Sequence, residues 1–122
     1  MEEKYFSGYR NLIVWQEAKI LTVLVYKLTA KFPKNEEYGL SIQMRKATVS
    51  VMSQIAEGWL RKSKKLKLHF LEISEGSLLE LENQGVVAKE VGYWSEKEYQ
   101  EFDKQRGKVS YLLYRYKLKI KS

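Results

Sequence analysis

The segment from Tyr99 to Ile120 limits the possible folds most, because Tyr99, Phe102, Arg106, Val109, Leu113, Tyr116 and Ile120 recur in alternating steps of three and four. A strand needs a period of two. These steps specify a helix with a narrow apolar seam, the kind that packs nearly parallel to its neighbours. One proline and seven glycines in 122 residues leave few breaks elsewhere, so the rest of the chain is also expected to be long helices. Cysteine is absent, which removes disulfides and thiolate chemistry and fits a reducing cytoplasm. The charged start Met1-Glu2-Glu3-Lys4 and the lack of a long apolar run predict neither a signal peptide nor a membrane span.

Four helices in one domain spanning 1–122 are expected, at about 12–31, 37–58, 64–91 and 96–120. Asn11 is the expected N-cap of the first, which Phe32-Pro33 closes. Its stripe Val14, Ala18, Leu21, Val25, Leu28 and Phe32 predicts core, while Ile13, Trp15, Ile20, Val23 and Leu24 widen the apolar face beyond one stripe. Such breadth implies a second contact surface, most simply another copy of the chain. The second helix has Leu40, Met44, Ala47, Val51 and Ile55 as its core line, with Gln43, Ser50, Gln54 and Glu57 beside it and Arg45 and Lys46 as its cations.

Ser63 should cap the third helix and Gly92 should end it in the left-handed conformation. On this helix Leu66, Phe70 and Ile73 predict a core stripe, yet the same stripe continues through Ser77, Glu80, Gln84 and Val87. Polar groups there imply a partner or a wetter helix. Ser95 and Glu98 form a capping box for the fourth helix, and Arg106 on its seam needs an anion, with Glu80 or Glu82 as candidates for a structural ion pair. Short turns make sequence neighbours antiparallel, so the fold expected is an all-α up-down-up-down four-helix bundle.

That topology gathers charge. Residues 1–17, 53–72 and 106–122 would share one end and carry a net +8, against +7 for the whole chain. Lys64, Lys65 and Lys67, with Arg61 and Lys62 just before them, sit at a helix N-terminus, where the macrodipole disfavours cations but free N–H groups welcome phosphate. Arg115, Lys117, Lys119 and Lys121 sit at a helix C-terminus, which suits them electrostatically and gives them a plainer role in solubility. Tyr111, Tyr114 and Trp59 fall near this end and could stack on bases, although tyrosines in a bundle more commonly serve packing.

Enzyme chemistry finds little support. His69 is the only histidine, no Gly-rich phosphate loop is present, and Glu57, Glu80 and Glu82 lack the spacing of a metal site. A di-metal bundle would need two Glu-x-x-His motifs. Neither a cofactor nor a small-molecule substrate is expected.

Trp15-Gln16-Glu17-Ala18, Phe32-Pro33, Tyr38-Gly39-Leu40, Gln43-Met44-Arg45-Lys46-Ala47, Ile55-Ala56-Glu57-Gly58, Ser63-Lys64-Lys65, Phe70-Leu71, Gly76-Ser77-Leu78, Glu80-Leu81-Glu82 and Gly92-Tyr93 follow in order along nearly the whole chain. In these the chain resembles the four-helix-bundle proteins called 23S ribosomal RNA intervening-sequence proteins. It resembles the accessory variability determinant proteins of diversity-generating retroelements only through the fold they share. The resemblance implies a ring-like homopentamer, contact with RNA or DNA through a basic surface, and a reverse transcriptase as a partner in the retroelement branch. It assigns no catalytic residues. Met52 and Gln54 stand where the family usually has proline and asparagine, Leu66 and Lys67 where an acid and an aromatic are usual, and Gly85 where an apolar residue is usual, which implies a looser late third helix. Two roles follow as expectations: a non-enzymatic nucleic-acid-binding accessory oligomer, or a protein-interaction scaffold without a nucleic-acid role.

Overall fold

The computed structural model describes residues 7–36 and 39–122. Among the described residues, four α-helices, α1 Ile13–Thr29, α2 Leu40–Leu60, α3 Lys64–Glu90 and α4 Glu96–Lys121, follow one another with short 3-10 turns at Gly8–Asn11 and Lys34–Glu36. Packing runs α1–α2, α2–α3, α3–α4 and α4–α1, the closed square of an antiparallel four-helix bundle.

Local chemistry sets most of the helix ends. Ser63 accepts from the Leu66 N–H at 3.0 Å and starts α3. At its other end Gly92 adopts φ 85°, Tyr93 N–H bonds Ala88 C=O and Gly92 N–H bonds Lys89 C=O, which is a Schellman motif. Ser95 and Glu98 exchange the reciprocal bonds of a capping box. Asn11 is not the N-cap of α1; it belongs to the preceding 3-10 turn, and Leu12 takes the cap position without a side-chain bond. The expected start of α2 at 37 falls outside the described residues, and the helix runs from Leu40. Glu36 performs that cap, its carboxylate accepting the Leu40 N–H at 3.0 Å and the Tyr93 hydroxyl at 2.7 Å. One side chain thus ties the start of α2 to the α3–α4 turn. These two bonds, the backbone one foremost, hold the Glu36 carboxyl below its ordinary value.

The core is formed by the α1 line Val14 to Phe32, by Met44, Ala47, Val51 and Ile55 of α2, and by Phe102, Val109 and Leu113 of α4. On α3 the buried set is Leu71, Ser74, Leu78, Leu81, Gly85 and Ala88. This corrects the expected stripe, since Leu66, Ile73, Glu80 and Val87 are exposed. Two stripes compete on this helix, and the one that wins is partly built of small residues that fit against close neighbours. Ser74 donates to Val51 C=O at 2.8 Å, and Ser50 and Ser77 bond each other at 2.8 Å, so α2 and α3 approach closely. Gly85 does not loosen α3: a Cβ there would lie 2.3 Å from Cε2 of the fully buried Phe102 ring, which fills the space. Trp94 closes the opposite end, its indole N–H donating to Leu28 C=O at 2.8 Å.

Candidate nucleic-acid interface

The start of α1, the end of α2, the start of α3 and the end of α4 meet at one end of the square. Tyr9 before α1 stacks edge-on against Trp59 at 6.4 Å and Trp15 at 5.2 Å, which seats the first turn on the end of α2. Trp59 is therefore engaged in packing. Residues Asn11–Val14 face Leu112, Arg115, Tyr116, Leu118 and Lys119 across a groove of about 750 Å³ with an apolar floor and a cationic rim.

The sequence cations at this end divide into two sets. Arg61 reaches back to Glu57 at 2.6 Å and lies over the Phe70 ring at 5.0 Å. Lys67 donates to the backbone oxygens of Trp59 at 2.8 Å and Gly58 at 3.4 Å, the latter also accepting the Arg61 N–H, and so caps the carbonyl end of α2. Burial lowers its pKa. Lys117, mostly covered, pairs with Glu75 at 2.7 Å. These three hold the bundle's own groups. By contrast Lys62, Lys64, Lys65, Arg115, Lys119 and Lys121 are exposed and lack an acidic partner within 4.0 Å among the described residues. Tyr111 and Tyr114 are also exposed, and Arg115 follows Tyr111 by one turn on the same helix. Exposed rings alternating with unpaired cations can hold a single strand by stacking and by phosphate contact.

Arg106 lies deeper, its guanidinium 2.9 Å from Asp103 and 3.6 Å from Glu82. Glu80 is not its partner; it accepts from Gln84 and faces outward. Arg45 folds over Tyr26 at 4.7 Å and donates to Thr29 Oγ1 at 3.0 Å and Tyr26 C=O at 3.3 Å, so it serves the end of α1.

With this geometry in view, the family model described as 23S rRNA-intervening sequence protein matches residues 10–115. The chain belongs to that family. A solved structure from Bacteroides thetaiotaomicron, described as a protein of unknown function from the S23 ribosomal protein family, superimposes with a TM-score of 0.77 at 18% identity. The match covers 86% of this chain and 98% of that one, and at this identity it speaks to the fold alone. No curated protein matches the sequence significantly.

In this 23S rRNA intervening-sequence family member, the described residues contain no group of three or more His, Cys, Asp or Glu side chains able to hold a metal. No described helix is long and apolar enough to cross a membrane. The Glu36–Tyr93 and Trp94–Leu28 bonds escaped sequence reasoning because their partners are distant in the chain, and the backbone contact of Lys67 because it depends on how the α2–α3 turn folds. The acidic partner Asp103 was legible in principle, three residues before Arg106 on one helix.

Proposed function

We propose that this chain is a non-enzymatic nucleic-acid-binding accessory protein that holds RNA or DNA phosphates at its basic end and works as a ring-like homo-oligomer. One observation carries the reading: the cations Lys62, Lys64, Lys65, Arg115, Lys119 and Lys121, which have no acidic partner among the described residues, collect at one end, beside exposed Tyr111 and Tyr114. Cations not consumed by the bundle's own acids are available to a polyphosphate, and cyclic symmetry would set every copy's basic end on the same side. The engaged Arg61, Lys67 and Lys117 are assigned to the rim of this site, contributing field rather than direct contact. The family description, which mentions 23S rRNA, is consistent with such a ligand. A reverse transcriptase as protein partner rests on the fold shared with accessory variability determinant proteins, and copurification with one tests it.

Binding of fluorescent single-stranded RNA and DNA at low salt is the experiment. The proposal expects saturable binding that weakens steeply as salt rises, with little dependence on sequence. Absence of binding at low salt rejects it and leaves the scaffold role.

A further inference from the structure

We propose that copies of this chain join head to tail through two unlike faces, a basic apolar face on α1 and an acidic apolar face on α3. This assignment rests on the homo-oligomer read above and specifies its contacts.

Each face is a stripe with seven-residue steps. On α1, Ile13, Ile20 and Lys27 follow one another along the outer surface, with Ile13 63% and Ile20 48% exposed. On α3, Leu66, Ile73, Glu80 and Val87 do the same, with Leu66 and Val87 each 47% exposed. Large aliphatic side chains are costly to leave in water, and in each stripe they recur on one face every second turn, about 10 Å apart, with one charged residue in line with them. Laid parallel, the two match side chain for side chain: Ile13 on Leu66, Ile20 on Ile73, Lys27 on Glu80.

Charge selects this pairing over like-to-like contact. The one acid of α1, Glu17, is held by Lys108 at 3.2 Å and by Gln105, whereas Lys19 and Lys27 have no acidic partner among the described residues. Lys27 lines a groove of about 510 Å³ between α1 and α4 whose apolar floor is Ile20, Val23 and Leu24 and whose rim carries three cations, Lys19, Lys27 and Lys104, against one acid, Glu101. On α3 the first turn around Leu66 is basic, with Lys64 and Lys65 belonging to the phosphate-binding end, but from Glu72 to Val91 the signs reverse. The one cation there, Lys89, is paired with Glu96 at 3.0 Å, while Glu72, Glu80 and Glu90 are exposed without a cationic partner among the described residues. Two α1 faces would set lysine against lysine, and two α3 faces glutamate against glutamate.

Position makes the contact directional. The α1 stripe borders α4, and the α3 stripe borders α2 through the Ser50–Ser77 bond, so the faces occupy opposite sides of the square. Unlike faces on one molecule produce a heterologous interface, which closes into a ring when the rotation between copies permits. Gln54 of α2 and Gln84 of α3 also each have a buried carboxamide oxygen without a hydrogen-bond donor among the described residues.

Light scattering on the full chain, with variants Lys27→Glu, Glu80→Lys and their combination, tests the pairing. All substitutions fall on exposed positions, and circular dichroism melts verify that each variant is folded. A multi-copy wild type is expected, with self-association weakened about tenfold or more in each single variant and restored in the double variant. Ile20→Asp should also dissociate the assembly. Wild-type mass in either single variant, or failure of the double variant to recover it, overturns the pairing. A single-copy wild type overturns the pairing and the oligomer together, and RNA binding by that species would still leave the phosphate-binding reading in place.

Discussion

At the scale of residues, single side chains connect distant elements, and two of them give direct tests. Gly85→Ala places a Cβ 2.3 Å from Cε2 of the Phe102 ring, and because that ring is fully buried its displacement disturbs the core. The expected loss is about 1–3 kcal/mol by denaturant unfolding, larger than the gain of about 1 kcal/mol in helix propensity. Glu36 and Glu98 both have lowered pKa values, Glu36 through the Leu40 N–H and Tyr93 hydroxyl, Glu98 through Lys31 and the Ser95 N–H. A carboxylate whose folded pKa is depressed stabilises the fold above its ordinary value of 4.5 and loses that contribution as pH falls through the folded value. Wild-type melting temperature should therefore fall below that pH. The double variant Glu36→Gln, Glu98→Gln should start lower at neutral pH and fall less on acidification.

At the scale of elements, α3 shows what the sequence discloses and what it withholds. Its cap Ser63 and its terminating Gly92 are legible because each acts through local backbone geometry. Its core face is not, because Ser74, Gly85 and Ala88 carry no apolar signal comparable to Leu66, Phe70 and Ile73. Their burial follows from the close approach of α2 and from the bulk of Phe102, both tertiary facts. The cationic first turn divides in the same way, since composition marks Lys64, Lys65 and Lys67 alike, while the fold turns Lys67 onto the end of α2. Lys67→Met should accordingly lower the melting temperature and leave the salt slope of RNA binding nearly unchanged. Lys64→Glu should do the reverse, relieving an unfavourable charge at a helix N-terminus and weakening RNA binding. Equal behaviour of the two variants would refute the division.

At the scale of the molecule, an excess of positive charge meets a fold that sorts it. Up-down-up-down connectivity brings the end of α2, the start of α3 and the end of α4 together, and the acids of those segments are too few to neutralise them. Net charge alone would also attract nucleic acid, so the decisive comparison removes equal charge from different places. The salt slope of single-stranded RNA binding should be measured for the wild type, for Lys64→Gln with Lys119→Gln at the basic end, and for Lys34→Gln with Lys97→Gln at the other end. If the basic end holds the phosphates, the first pair flattens the slope by about 0.7 per lost contact, and the second leaves it near wild type. Equal flattening by both pairs would contradict a localised site.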